Sequence, residues 1–200
     1  MLDRLDGIMA SKWAESHFAY GSFLGLGMLY FALPYILRAR RCVCLGSGGG
    51  FVPRLMVEAQ RELENAGILK AVDVTLVDAD CGPWGRPDYD DAGFANYPEI
   101  KLLKLLTADA ALSLYGIDYL HVDADHSYEG ALTDLETYGR LMRGKWAITI
   151  HDTRQLPNEP RIGTFRAATE WARNHDAEMV TFPFGAGTTV LMPKHRTFLP

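Results

Sequence analysis

The sequence predicts an α/β domain built on a mostly parallel sheet, and two observations carry that prediction. Short apolar runs alternate along the chain with segments of helical period, the pattern of strand–helix–strand units. Glycines, aspartates and histidines then gather directly after the apolar runs, at the carboxyl ends of the strands, where such sheets bind ligands.

Residues 18–37 carry no charge and are followed by Arg38, Arg40 and Arg41, a length that would cross a bilayer. Gly21, Gly25, Gly27, Pro34, Ser22 and three tyrosines argue instead for a loop over 19–27 and a buried helix from Met28 to about Arg38. Residues 41–45 (RCVCL) form the first strand, stopped by glycines. Residues 51–67 place Val52, Leu55, Met56, Ala59 and Leu63 on one helical face, with Gly67 as the stop. Residues 72–77 are the second strand; 100–106 (IKLLKLL) fit a third strand or a helix. The runs 117–122 and 146–150 are further strands, joined by a helix over 127–142 with Ser127 as N-cap and Gly144 as stop. A last helix over 163–174, with Phe165, Ala168, Thr169 and Ala172 inward, precedes strands at 177–182 and 188–192.

At 200 residues and 48% hydrophobic, the chain fits one core that needs no disulfide or metal to fold. Twenty basic against 25 acidic residues, a net charge of −5, speak against a nucleic-acid partner, since that affinity rests on Lys and Arg neutralising phosphates. Neither an Asp-Pro-Pro-Tyr nor an Asn-Pro-Pro-Tyr run occurs. Cys42, Cys44 and Cys81 make neither a disulfide framework nor a zinc set and read as buried thiols of a reducing, cytoplasmic setting. Acids throughout residues 1–16 do not fit a signal peptide.

Three groups of residues carry the chemistry. Gly46, Ser47, Gly48, Gly49 and Gly50 open a helix after the first strand and let a ligand approach the backbone. The glycine pattern is G-x-G-x-G, whereas a dinucleotide fingerprint wants a glycine at the position of Phe51, so an NAD-dependent oxidoreductase is the weaker alternative. Asp78, with Asp80 as competitor, ends the second strand where an acid accepts the hydroxyls of a ribose; Asp109 either faces an adenine amino group or caps a helix. Asp123, Asp125 and His126, with His151 and Asp152, come from two strands expected to be neighbours. Carboxylates of this kind suit a hard divalent cation, and a neutral histidine beside it takes a proton; the plainer alternative has the histidines bracing turns.

Taken together, the G-x-G-x-G loop, the acid after the second strand, the run YLHVDADHSYEG (119–130) and the run ITIHDT (148–153) resemble the class I S-adenosylmethionine-dependent methyltransferases. The likeness is to the small-molecule O-methyltransferases marked by I-D-G-D-H-x-Y-E and a strand ending in H-D-T, and it covers residues 41–193. It implies a Rossmann-like seven-stranded sheet with helices on both faces and an antiparallel last strand, a single domain whose residues 1–40 form a helical cap. It also implies S-adenosylmethionine lying with its methionine part against Gly46, Ser47, Gly48 and Gly50 and its ribose on Asp78. In metal-dependent relatives the matching positions make Asp123 and Asp152 ligands of Mg2+ and His126 the general base. This sequence departs from the pattern at Cys44, where an acid is usual, at Ala124, where glycine is usual, and beside Asp152, where His151 or Thr153 stands in place of a further carboxylate. The activity implied is methyl transfer to a hydroxyl oxygen of a small molecule such as a sugar or phenol, with no nucleic acid or membrane involved. The alternative is a catalytically silent S-adenosylmethionine-binding protein. The aromatics Phe18, Tyr20, Phe23, Tyr30 and Phe31 suit a core, an acceptor pocket or the face of a homo-oligomer.

Overall fold

The structure, a computed structural model, describes residues 14–79, 94–154 and 162–194; Asp80 and Cys81 lie outside them. Seven strands form one sheet: β1 (Cys42–Leu45), β2 (Val74–Val77), β3 (Ile100–Leu103), β4 (Ile117–Val122), β5 (Met142–His151), β6 (Ala177–Phe182) and β7 (Thr188–Pro193). Their order is β3-β2-β1-β4-β5-β7-β6. The first five pair in parallel, and β7 runs antiparallel to both β5 and β6, as expected for the final strand. Order reverses between β1 and β4, which opens a crevice at their carboxyl ends.

The strands are apolar on both sides because helices cover both faces. On one face, α1 (Gly27–Leu37) and α2 (Phe51–Asn65) bury Tyr30, Phe51, Leu55 and Met56 against Cys42, Cys44, Leu76 and Tyr119. On the other, α4 (Tyr128–Gly139) and α5 (Thr164–Asn174), with the short α3 (Thr107–Ala111) beside α4, bury Leu135, Tyr138, Ala168 and Trp171 against Val43, Leu45, Leu120 and Ile148. Replacing a side chain such as Leu120, wholly buried at the sheet centre, by alanine would cost about 2–5 kcal/mol. The predicted face of α2 is borne out, and buried Gln60 ties that helix to the sheet: its Nε2 donates to the Ala39 carbonyl and its Oε1 accepts from the Asp73 amide.

Several expectations shift. The uncharged N-terminal stretch resolves into turns and an 11-residue helix, and no helix among the described residues is long and apolar enough to cross a membrane. Residues 100–106 resolve as a strand ending at Leu103, and β2 begins at Val74 rather than at 72. Ser127 caps α4 as expected, accepting from the Gly130 amide at 3.0 Å. The helix, however, ends at Gly139, and β5 begins at Met142. Gly144 is therefore no helix stop: it sits inside β5 at φ +61°, where the β4–β5 register jumps from Ile117↔Met142 to Tyr119↔Ala147 and extra residues loop out. Trp171 and Ala167 take the centre of the inward face of α5, leaving Phe165 and Thr169 half-buried at its edges.

One buried acid lies away from the strand ends. Asp134 on α4 is buried, and burial pushes its carboxyl up to about 6 against the help of a hydrogen bond from Thr107. A carboxyl whose folded pKa lies above its unfolded value of 3.8 adds stability below that pH and loses it as pH rises through about 6. Asp134→Asn is therefore expected to raise the unfolding free energy at pH 7.5 by on the order of 1–3 kcal/mol and to leave it nearly unchanged at pH 4. Denaturant midpoints at the two pH values measure this; an equal effect at both would refute it.

Candidate active site

The glycine loop and the strand-end acids meet through the backbone. Gly46, Gly48 and Gly50 all adopt positive φ (+65°, +57° and +76°), so the G-x-G-x-G spacing is a conformational requirement at alternate residues. Gly46 also prolongs the ladder: its amide donates to the Val77 carbonyl, while the Asp123 amide donates to the Leu45 carbonyl, each at 2.8 Å. A Cβ on Gly46 would lie 2.4 Å from the Asp123 carbonyl oxygen and 2.8 Å from Ala124 Cα. Gly46 is thus the contact that lets the end of β1 close onto the end of β4, and its amide is already used. The Ser47 hydroxyl is buried, with the Cys44 thiol as neighbour and no other hydrogen-bond partner among the described residues.

Asp78 is half-buried at the end of β2, its amide donating to the Leu103 carbonyl. Cys44, at the position where an acid was expected, is fully buried and donates to the Gly46 carbonyl at 3.0 Å. Burial, and after it the carboxylates of Asp123 and Asp78, push its thiol well up, so it stays neutral. Asp109 does not cap α3: the N-cap position is Leu106, and Asp109 is exposed within the first turn.

The parallel pairing of Val122 with Ile150 sets Asp123 beside His151 and Asp152. His126 joins from the turn that follows β4. Its Nδ1 lies 2.7 Å from Asp152 Oδ2 and its Nε2 3.3 Å from Asp123 Oδ1. Burial opposes a charge on this ring, but the two carboxylates outweigh burial and push its pKa up to about 11. His151 Nδ1 lies 3.0 Å from Asp123 Oδ1 and 3.4 Å from Asp152 Oδ1. Burial again works against charge, and Asp123 holds the His151 pKa raised. Burial would lift the Asp123 carboxyl, yet its histidine neighbours keep it well below the ordinary range. Asp152 sits at φ +54°, unusual for a non-glycine residue, with its carbonyl accepting from the Thr164 hydroxyl at 2.6 Å. Asp125 stays outside the cluster, exposed, its Oδ1 accepting from the Ser127 amide.

Two more histidines belong here that sequence reasoning missed. His121, on β4, lies with its Nε2 3.8 Å from Asp123 Oδ2, and the His17 ring packs 4.0 Å from that of His151. His121 carried a signal, a polar residue at an inward position of an apolar strand. His17 carried none, because only the packing of its 3-10 turn (Ala14–His17) against the sheet edge brings it there. Of the four rings, that of His126 is the one partly open to solvent, its side chain 18% exposed against 3% for His151 and 0% for His121.

With this geometry in place, the comparisons with known proteins become informative. The family model described as "Methyltransferase domain" matches residues 43–153, more than half of the chain, from β1 through the H-D-T run. The chain belongs to that methyltransferase-domain family. No curated protein matches it in sequence. Among solved structures, the O-methyltransferase from Bacillus cereus in complex with SAH superposes with a TM-score of 0.66 at 15% identity, covering 96% of this chain and 90% of that one. TomG, the O-methyltransferase of tomaymycin synthesis from Streptomyces achromogenes, in complex with SAM, gives 0.64 at 14% identity, over 94% and 90%. The SAH-bound methyltransferase PaMTH1 of Podospora anserina gives 0.65 at 14%, over 95% and 87%. At these identities the likeness is one of fold, and it extends across nearly the whole length of this methyltransferase domain.

Gly46→Ala should be costly for two separable reasons, its positive φ and the backbone in the way of a Cβ. Gly67, at φ +72° with nothing within 4 Å of a Cβ, isolates the first. Denaturant unfolding is expected to show a loss of roughly 1–2 kcal/mol for Gly67→Ala and roughly 2–5 kcal/mol for Gly46→Ala. Equal losses would mean that β1 does not close on β4 through Gly46.

Proposed function

We propose that this methyltransferase domain moves the methyl group of S-adenosylmethionine to a hydroxyl oxygen of a small-molecule acceptor, with His126 handling the proton. The observation that carries the proposal is the imidazole of His126 held between two carboxylates, partly open to solvent, on the same sheet edge as the glycine loop and Asp78. The solved relatives with SAM or SAH support the cofactor. By the motif, Gly46, Ser47, Gly48 and Gly50 line its methionine part and Asp78 takes the ribose hydroxyls. Asp109, exposed on α3, is the residue proposed for the adenine side.

A sulfonium methyl is already activated, so the protein must chiefly align the acceptor oxygen in line with it and dispose of one proton. His126 is charged while both carboxylates hold it. An arriving sulfonium cation repels that charge, so the Nε2 proton leaves to solvent through the open ring edge; an acceptor hydroxyl that then takes the place of the longer contact, Nε2 to Asp123 at 3.3 Å, gives its proton to the freed Nε2 lone pair. The shorter bond to Asp152 keeps the ring oriented. Exposed Tyr20, Phe23 and Phe184, in ring contact with Phe18, are placed to wall the acceptor site, because the neighbouring Ser16 carbonyl already touches His151.

Mg2+ at Asp123 and Asp152 fits this donor set poorly. A hard cation prefers oxygen ligands and water, whereas here the His126 ring bridges the two carboxylates and His151 contacts both. The proton transfer above therefore rests on the side chains alone.

Saturating S-adenosylhomocysteine is expected to raise the melting temperature by several degrees, with or without magnesium. Asp78→Ala should weaken its binding about tenfold or more. Turnover of labelled S-adenosylmethionine on a library of hydroxyl compounds should fall at least a hundredfold in His126→Ala while S-adenosylhomocysteine binding persists. Binding without turnover on any acceptor would favour the silent cofactor-binding protein, a reading that draws on Cys44 in place of an acid; no binding at all would overturn the proposal.

A further inference from the structure

Beneath His126 lies a second, sealed set of donors that the methyl-transfer reading does not use. One atom each of His17, Asp123 and His151 lie within 4.8 Å of one another, and both histidines are buried. Each ring is fixed from its far side. The Tyr30 hydroxyl bridges His17 Nδ1 at 3.0 Å and Thr188 Oγ1 at 2.7 Å. His151 Nε2 reaches the Ser16 carbonyl at 3.4 Å; since a carbonyl only accepts, that nitrogen carries the hydrogen, and Nδ1 is turned towards the oxygens of Asp123 and Asp152. Something positive, a proton or a metal ion, must stand on that line.

An independent observation points to the same place. His121 is wholly buried, and its Nε2 has no hydrogen-bond partner among the described residues although it faces Asp123 Oδ2 at 3.8 Å. His121 Nδ1 shares the Thr149 hydroxyl, at 2.8 Å, with the Tyr119 hydroxyl at 2.9 Å, so the ring is anchored through that nitrogen and Nε2 is the one turned to Asp123. A buried imidazole nitrogen without a partner is costly unless a ligand completes it.

We propose that His17, Asp123 and His151, with His121 facing the same carboxylate, bind a borderline transition-metal ion of the Zn2+ class. Two imidazoles and one carboxylate are a donor set that such ions accept, with a water as fourth ligand, and that Mg2+ does not favour. Oxygen partners on the far nitrogens are the outer contacts by which proteins orient ligating histidines. The ion would pin the 3-10 turn of His17 to the ends of β4 and β5, under the floor of the site. This inference does not depend on the methyl-transfer reading.

The test uses the full chain, treated with chelator and titrated with Co2+, whose visible d–d bands report four-coordinate nitrogen and oxygen ligation. One equivalent of Co2+ is expected to bind, to resist excess Mg2+ and to be displaced by Zn2+. His17→Gln and His151→Gln should each weaken it at least tenfold, while His126→Ala and Asp152→Asn retain the bands. Should a buried variant fail to fold, long-range imidazole 15N correlations of the wild-type chain decide: the resonances of His17 and His151 should show metal ligation on Zn2+ addition and those of His126 should not. Absence of Co2+ binding to the folded chain would overturn the inference. So would bands lost in Asp152→Asn or His126→Ala and kept in His17→Gln, which would place the ion in the outer pair. Binding of S-adenosylhomocysteine, followed in parallel, keeps this outcome separate from that of the methyl-transfer reading.

Discussion

Asp123 is held twice, and the arrangement of the site follows from both attachments. Its backbone is fixed by the amide bond to Leu45 and by the close approach of Gly46, which stitch the end of β4 to the end of β1. Its carboxylate is then the common neighbour of His121, His126 and His151. A carboxylate this enclosed would be expensive without compensation, and the imidazoles supply it. The same contacts fix the imidazoles in turn, so the three rings and the acid are mutually oriented before any ligand arrives, the preorganisation that the proposed proton transfer needs.

The sheet explains why these groups meet at all. Parallel pairing of β1, β4 and β5 brings three strand ends to one edge, and the change of direction at β7 returns the chain to the same edge from the far side. Thr188, at the start of β7, thereby reaches Tyr30 on α1, and the segment before β7 meets the turn that carries His17. The polar layer between sheet and α1 runs through Tyr30, Thr188, Tyr119, Thr149 and His121, each with a hydrogen-bonded neighbour. It lets buried hydroxyls and imidazoles sit where apolar packing would otherwise be expected.

How much of this was legible beforehand depended on range. Strand and helix identities followed from local period, and the antiparallel final strand followed from the family motif. Gly46, Asp78, Asp123, His126 and Asp152 stood out because strand ends are where polar residues interrupt apolar runs. The β5 boundary was missed because the residues looped out around Gly144 break the two-residue alternation on which strand reading depends. Of the two readings of Asp109 the cap falls away, and the sequence could not tell because a five-residue helix offers too little periodicity to fix its first residue. His17 was invisible for a different reason: its partners within the site, His121 and His151, lie more than a hundred positions away, and no local pattern encodes such a contact.

That last distance bears on how the molecule assembles. The Ser16 carbonyl accepts both from His151, 135 residues on, and from the Ala186 amide, while Tyr30 bonds a threonine 158 residues away. Contacts of such separation carry the largest loop-closure entropy and tend to form late in folding. During synthesis β1 through β5 emerge before the strand that completes this edge. The sealed lower half of the site therefore takes shape only once β7 has inserted between β5 and β6, so that a partly made sheet would hold the glycine loop and His126 without the floor beneath them.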